Sequence, residues 1–475
     1  DPGSPQRAFF WSFVAFGLIG VVMLFQQLGE SAASAHHSAE ATKEVTAPES
    51  MDQVRMTTSM MVRMRRFLHE MSASPQDKKT VDAQLGDSIG QIDDAVVSTT
   101  DKFRAAIAAG ELKSADMAIE RIDALASEPE LFATYEQDSD IVKRIYAGEA
   151  DALTSEERDG FVARHGYFAK LAMSYNKPDT DATRDEVTGK GGQLIAALGV
   201  FGLILVFAFF AGITCCIIAC VKLGNGAWRP RFLPPLPGGS VFIELVAMLA
   251  AGFLFMKLVG MGLAAFITDQ QTLITLVLLF QWGLAAICFY PLLRGVSFAD
   301  LRRRIGWTSG QGVVKEIGAG LFAYFAFLPV FVVGAIVALL LMMLWSFITS
   351  GNAEPDPASN PIADIIAGTS GFTLLLLFSL ATIWAPLVEE SVFRGSLFRH
   401  LRSRMGLFGS AAISAVCFGV MHGYPFILLL PVTLLGFNFA LMREWRGSLI
   451  APITAHFLHN ATILTFAITF FSAVG

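Results

Sequence analysis

The stretch Pro386-Leu-Val-Glu-Glu-Ser-Val-Phe-Arg-Gly395 decides the reading of this chain, because it lies inside a long apolar run. Two adjacent carboxylates, Glu389 and Glu390, and the guanidinium of Arg394 interrupt a segment that otherwise has the composition of a membrane helix. A charged side chain at mid-bilayer costs at least about 2.5–3.5 kcal/mol, so such residues normally face the protein interior and carry function. The stretch predicts a membrane helix with an inward-facing polar site.

Apolar runs long enough to span a bilayer recur on both sides of this stretch. Of the 475 residues, 53% are hydrophobic and 16% are charged, whereas soluble domains carry about 25% charged residues. The predicted spans are residues 8–28, 193–221, 240–267, 272–293, 316–349, 362–398, 407–423, 425–442 and 448–471. The fold class predicted is therefore all-α, a polytopic membrane helix bundle of about nine spans.

The segment between the first two spans has a different composition. Residues 30–190 hold 30 acidic and 19 basic side chains, and their apolar residues repeat near the helical period. A helical, water-exposed insertion is the expected structure. We divide the chain into a membrane anchor helix (8–28), the acidic helical domain (30–190), membrane helices 2–5 (193–349) and a C-terminal core (360–472).

Basic residues in the short loops predict the orientation. They lie before the first span and after the even-numbered spans, and the alternate loops carry acidic residues such as Asp269. The positive-inside rule then places the N-terminus in the cytoplasm and residues 30–190 outside it. We expect an integral membrane protein of a bacterial inner (plasma) membrane. Membrane lipid is an expected partner, and nucleic acid is not.

Spacing gives the two neighbouring carboxylates different partners. Glu390 and Arg394 are four residues apart, so they share a helix face and can form an ion pair. Glu389 is rotated by about 100° from Glu390 and faces elsewhere. One carboxylate is then neutralised, and the other is left as a proton acceptor.

Histidines of two later spans are predicted to lie at a similar depth. His422 ends Phe418-Gly-Val-Met-His422, and the last span contains His456-Phe-Leu-His-Asn460, in which His456 and Asn460 share a face. Measured from the nearest basic loop at about 1.5 Å per residue, Glu389 lies roughly 22 Å deep and His422 roughly 21 Å, while His456 lies roughly 15 Å and Asn460 roughly 21 Å deep. If they form one site, the Glu389 carboxylate lies within about 5–6 Å of the His422 ring, in water-bridging range.

These three motifs together resemble the CPBP intramembrane protease family, also called the CAAX-protease or bacteriocin-processing (Abi) family. Its pattern is Glu-Glu-x3-Arg, then Phe-x3-His, then His-x3-Asn, and all three occur here in order on apolar segments. The resemblance covers roughly residues 360–472. It implies a membrane endopeptidase that cleaves a peptide or protein tail, with CAAX-like or lipidated tails as candidates.

The resemblance also implies a role for each residue. Glu389 and His422 would activate the attacking water, His456 and Asn460 would stabilise the oxyanion, and Glu390 with Arg394 would orient the first carboxylate. The family is often labelled a metalloprotease, and Glu389, His422 and His456 are candidate zinc ligands. No His-Glu-x2-His helix is present, so we favour a mechanism that requires no cofactor and keep Zn²⁺ as an alternative.

Two other functions compete with this one. Gly368-Thr-Ser370-Gly371 fits the nucleophile turn of a rhomboid-type serine protease, but this leaves the two carboxylates and Arg394 without a purpose. Alternatively, the chain is a non-enzymatic scaffold or sensor that binds an extracytoplasmic protein partner through residues 30–190. The same domain would also serve a peptidase by recruiting its substrate.

Overall fold

The computed structural model describes residues 1–40, 53–96, 98–125, 129–348, 366, 371–424 and 429–474. The described residues are mostly helical and contain no β-strand, which confirms the all-α prediction. The first half of the described chain holds nine helices: α1 (Pro5–Glu40), α2 (Gln53–Met71), α3 (Pro75–Asp87), α4 (Gly90–Asp93), α5 (Thr99–Leu112), α6 (Ala115–Leu125), α7 (Pro129–Tyr146), α8 (Ser155–Met173) and α9 (Ala182–Thr188).

Longer and more apolar helices follow in the second half. They are α10 (Gly191–Gly224), α11 (Val241–Ala264), α12 (Gln270–Leu293), α13 (Phe298–Ile305), α14 (Val313–Ile348), α15 (Phe372–Arg402), α16 (Leu407–Val420), α17 (Leu429–Arg446) and α18 (Ile450–Val474). Within α12, residues Leu284–Phe289 tighten into a 3₁₀ turn.

Seven helices in the described residues are long and apolar enough to cross a membrane: α1, α10, α11, α12, α14, α15 and α18. The protein is therefore an integral membrane protein. The two remaining predicted spans also fall on helices, but they differ from the other seven. Helix α16 has only 14 residues, about 21 Å against a hydrocarbon thickness of about 30 Å, and α17 carries Arg443, Glu444 and Arg446 in its last turn.

The chain divides into two compact units. One unit takes in the described residues between 33 and 202 together with residue 366 and residues 466–474. Its core is built around Phe103, Phe161 and Phe168, none of which is exposed. Ser74, Ser98 and Thr154 begin α3, α5 and α8 with capping boxes, in which the side chain and a carboxylate three residues later satisfy two free amide groups.

The other unit contains the membrane helices, with residues 1–32, 203–348 and 371–465 of the described chain. Helices α16 and α17 pack closely against each other, and small residues allow this, as is common between membrane helices. A Cβ added at Gly436 on α17 would lie 3.0 Å from the Arg394 guanidinium and 3.0 Å from the Phe418 ring. The glycine thus lets α17 approach the charged residues of α15.

Helix α15 departs from regular α-helical geometry on both sides of Pro386. Leu380–Trp384 and Glu390–Leu397 form π-helical turns, which are wider by one residue per turn. The amide of Ala385 donates to the carbonyl of Leu380, five residues back. In this register the carbonyl of Ala381 faces Pro386, which has no N–H to give.

Candidate active site

Glu390 and Arg394 form a fully buried ion pair on α15. Arg394 Nη1 donates to Glu390 Oε1 at 2.8 Å, and neither side chain is exposed. Arg394 Nη2 also donates to the carbonyl of Gly436 at 3.0 Å, and the guanidinium lies 4.3 Å from the centroid of the Phe418 ring. A buried charge needs such pairing, because an uncompensated one is strongly destabilising. Glu390 Oε2 and Arg394 Nε have no hydrogen-bond partner among the described residues.

His456 on α18 joins this pair. Its Nδ1 lies 3.0 Å from Glu390 Oε1, and its ring stacks on Phe439 at a centroid distance of 5.2 Å. The carboxylate can only accept at this contact, so Nδ1 carries the proton. In the neutral ring Nε2 then keeps its lone pair.

His422 is held in the same tautomer by a different partner. It lies in the turn that follows α16, and its Nδ1 donates to the carbonyl of Phe418 at 2.7 Å. That carbonyl is near the C-terminal end of α16, where backbone acceptors are left free by the end of the helix. The Nε2 atom of neutral His422 is therefore also a lone-pair site.

The second carboxylate lies between the two imidazole rings. Glu389 Oε2 is 4.0 Å from His422 Nε2 and 3.9 Å from His456 Nε2. This oxygen is buried and has no hydrogen-bond partner among the described residues. Separations near 4 Å are too long for direct hydrogen bonds and suit a bridging water, as expected from the sequence. Residues from three segments of the chain thus surround one small space.

Asn460 has a contact that its motif did not predict. Its Nδ2 donates to the carbonyl of Ala381 at 2.8 Å, and this is the carbonyl that Pro386 leaves without an amide partner. The amide of Asn460 therefore closes the π-helical turn in front of Glu389. Its second N–H remains for another acceptor, so the oxyanion role implied by the resemblance stays a prediction.

Several neighbours of the site were not predicted from the sequence. Phe439 stacks on His456, and Tyr324 Oη lies 3.2 Å from His459 Nδ1. Aromatic residues are common in apolar helices, so their pattern gave no signal for these contacts. Ser370, the nucleophile of the serine-protease alternative, lies outside the described residues.

The three candidate zinc ligands fit a metal in chemistry but not in spacing. Two lone-pair Nε2 atoms face one carboxylate, and each Nδ1 is held by an acceptor, as in many metal sites. In a zinc tetrahedron, however, bonds of 2.0–2.1 Å separate the ligand atoms by about 3.3 Å, shorter than the distances found here. Across the described residues, no group of three or more His, Cys, Asp or Glu side chains has metal-binding geometry.

Comparisons with known proteins match the C-terminal part of the chain. Residues 371–462 match the family model of the type II CAAX prenyl endopeptidase Rce1-like proteins. A putative membrane peptidase, YdiL of Bacillus subtilis (strain 168), is 33% identical over 89 residues, which cover 19% of this chain and 36% of that protein. The uncharacterized protein YpbD of the same organism is 36% identical over 81 residues, covering 17% and 40%. No solved structure matches the chain.

The matched segment covers a small part of the chain and contains every residue predicted for the site. The chain spans little more than a third of the length of these curated relatives, and residues 30–190 lie outside the family match. All six residues predicted for the site lie inside it. The family that the three motifs predicted is confirmed: residues 371–462 of this membrane protein form a domain of the Rce1-like CAAX prenyl endopeptidase family.

Proposed function

We propose that the chain is an intramembrane endopeptidase in which Glu389 and His422 activate the water that attacks the peptide bond. The observation that carries this proposal is the buried, unpaired Glu389 Oε2, about equally far from His422 Nε2 and His456 Nε2. A structural ion pair accounts for Glu390 and Arg394 but leaves Glu389 without a purpose. A bridging water explains both distances.

In the proposed reaction Glu389 accepts a proton from the water while His422 Nε2 orients it. The water oxygen bonds to the carbonyl carbon, and negative charge develops on the carbonyl oxygen. When the C–N bond breaks, the leaving amine takes up the proton that Glu389 received. General base catalysis of this kind typically contributes about 10²–10⁴-fold to the rate.

The oxyanion is proposed to bind on the side of α18. Asn460 has a second N–H to donate, and His456 becomes a donor through Nε2 when that atom is protonated. Glu390 holds the ring through Nδ1, which leaves Nε2 on the side of Glu389. Preorganised donors of this kind are worth about 3–4 kcal/mol each.

An apolar groove supports a substrate with an apolar or lipidated tail. It has a volume of about 480 Å³ and lies between α14 and the two helices that carry Glu389 and His456. Its lining is almost entirely apolar and is made by Ile317, Leu321, Thr382, Ile383, Pro386, Leu387, Ile453, Thr454, Phe457 and Leu458. The name of the matched family points to a prenylated CAAX tail as the first substrate to test.

Residues 30–190 are proposed to recruit the substrate or another protein partner outside the cytoplasm. Their excess of acidic residues favours a partner with a basic surface. This role follows from composition and from the predicted orientation in a bacterial inner membrane. It is separate from the proposal for the peptidase domain.

The test compares full-length protein and the variant Glu389→Gln in lipid nanodiscs. A farnesylated peptide with a CAAX end is the first substrate, and new protein termini in membranes of expressing cells reveal others. We expect cleavage by the native chain and a loss of at least about 10²-fold in E389Q, with unchanged expression. Asp269→Asn is the matched control, because Asn caps the start of α12 as well as Asp does.

The same assay separates the alternatives. Serine chemistry predicts loss of cleavage in Ser370→Ala, whereas the glutamate mechanism predicts that cleavage is retained. A scaffold or sensor predicts no cleavage by any form of the chain. Zinc held by Glu389, His422 and His456 would supply a Lewis acid; the orientation of both Nδ1 atoms suits such a site, whereas the spacing of the three side chains does not. Loss of activity on chelation, restored by Zn²⁺, would establish it.

A further inference from the structure

Helix α1 packs one face into the membrane unit, although the sequence predicts only an anchor. The buried residues Ala8, Ala15, Ile19 and Val22 are at most 5% exposed and repeat at intervals of three, four or seven. This spacing places them on one face of the helix. Large apolar residues such as Phe9, Phe13 and Phe25 are exposed on the other faces, where lipid would cover them.

Two polar residues of α1, Ser12 and Gln26, lie on the same buried face and bond to the peptidase domain. Ser12 Oγ is 2.9 Å from His400 Nε2, at the end of α15. Gln26 Nε2 donates to the carbonyl of Met421 at 3.2 Å, and Gln26 Oε1 is buried without a partner in the described residues. Buried polar groups in membrane helices commonly form such bonds, because no water is present to satisfy them.

Gln26 meets the turn that carries the catalytic histidine. Met421 directly precedes His422, and its carbonyl lies beyond the last turn of α16, where acceptors are left free. Gly423 follows with a positive φ of 71°, and a Cβ at this position would lie 2.8 Å from Gln26 Cδ. The Gln26 side chain thus lies directly against both neighbours of His422.

We propose that Gln26 is a positioning residue, which holds the Met421–Gly423 turn so that His422 Nε2 faces Glu389 Oε2. The inference rests on the proposed function, since it assigns Gln26 an effect on that reaction. Gln26 lies outside the matched segment 371–462. A helix that the family match does not include therefore completes the site.

The turn needs support, because a helix end is held by few backbone bonds. His422 N–H donates to Gly419 and Gly423 N–H to Val420, at 3.0 and 3.3 Å. A displacement of 1 Å in a catalytic group can lower a rate by about 10²-fold. Loss of the single bond from Gln26 should therefore lower kcat strongly while it changes the free energy of unfolding little.

The test uses the full-length chain in nanodiscs with the farnesylated CAAX peptide as probe. Gln26→Met keeps the length of the side chain and removes its amide, and Ser12→Ala is the matched control on the same face of α1. We expect kcat to fall about tenfold or more in Q26M with KM unchanged, and both constants to stay at native values in S12A. Amide hydrogen exchange in residues 418–424 should accelerate roughly three- to eighteenfold in Q26M only.

Three outcomes would overturn the inference. If kcat and the amide hydrogen exchange of Q26M equal those of the native chain, the bond from Gln26 does not hold the turn in place. Equal losses in S12A would mean that α1 acts through general packing. A lower kcat or a changed KM with unaltered exchange would mean that Gln26 contacts the substrate instead. If the native chain cleaves no probe, the proposed function fails, and unaltered exchange in Q26M would still refute the contact with the turn.

Discussion

Glu389 and Glu390 are adjacent carboxylates, and their neighbours give them opposite tasks. Glu390 Oε1 accepts from both Arg394 and His456, so the charge of this carboxylate is compensated inside the protein, although its Oε2 has no partner in the described residues. Glu389 Oε2 has no hydrogen-bond partner in the described residues and faces two imidazole nitrogens. The first residue stabilises the site, and the second has a free oxygen for chemistry.

This division predicts different consequences for the two amide substitutions. Glu390→Gln leaves Arg394 buried without a counter-charge, so we expect it to lower the free energy of unfolding by about 3–5 kcal/mol. Glu389→Gln breaks no ion pair, and its stability should stay within about 1 kcal/mol of the native value. Thermal unfolding of both variants in the same nanodiscs checks this. Equal stabilities would contradict the assignment.

At the scale of elements, the irregular geometry of α15 links Asn460 to Glu389. Pro386 leaves the Ala381 carbonyl without an amide partner, and Asn460 Nδ2 takes its place. The wide turns on both sides of Pro386 set the rotation of Glu389 and Glu390 about the helix axis. The geometry of the site therefore depends on a contact between α15 and α18.

We expect Asn460→Ala to destabilise the protein by about 1–3 kcal/mol, because a buried carbonyl loses its only amide donor. In a Pro386→Ala background residue 386 supplies its own N–H, so the same substitution should cost less. A double-mutant cycle on the free energy of unfolding measures this coupling. Additive effects would show that Asn460 does not compensate for the proline.

The elements differ in how far the sequence could predict them. Hydropathy and spacing were sufficient for the helical spans and for the Glu390–Arg394 pair, because both depend on neighbours along the chain. The register of α15 and the contact from Gln26 to Met421 were not predictable in this way. They depend on residues 79 and 395 positions apart, and a lone Gln at the end of an apolar run has no distinctive pattern.

At the scale of the whole molecule, the unit that contains most of the acidic segment has its own buried polar cluster. Arg164 donates to both carboxylate oxygens of Asp138, and His165 Nε2 lies 2.9 Å from Asp138 Oδ2. Burial lowers the pKa of His165, although Asp138 opposes this. Burial raises the pKa of Asp138, but hydrogen bonds from His165 and Arg164 outweigh it, so that pKa lies below its usual range.

Both shifts predict that this unit loses stability in acid. In the unfolded chain His165 takes up a proton near its ordinary pKa of about 6.5, whereas in the folded unit it stays neutral to a lower pH. The free energy of unfolding therefore falls as the pH drops below about 6.5. Asp138 adds a further loss below about pH 4. Protection factors from hydrogen exchange in α5 and α8 should decline between pH 7 and 5. His165→Gln, which does not titrate, should flatten the decline; an unchanged slope would exclude His165 as its source.

The distribution of basic loops makes a prediction about the orientation of the whole chain. Arg303 lies on the short basic helix α13, between the membrane helices α12 and α14, with its side chain 75% exposed. Asp159 is exposed on α8, and Ser472 is exposed near the end of α18. In a background without the five native cysteines, single cysteines at these positions should react differently with an impermeant thiol reagent. We expect labelling of intact cells at 159 and 472, and at 303 only after the membrane is opened.

The result at 472 does not depend on whether the short α16 and its partner α17 cross the membrane or turn back together, since two added crossings return the chain to the same side. Labelling of 303 and 472 from one side would therefore contradict the orientation itself.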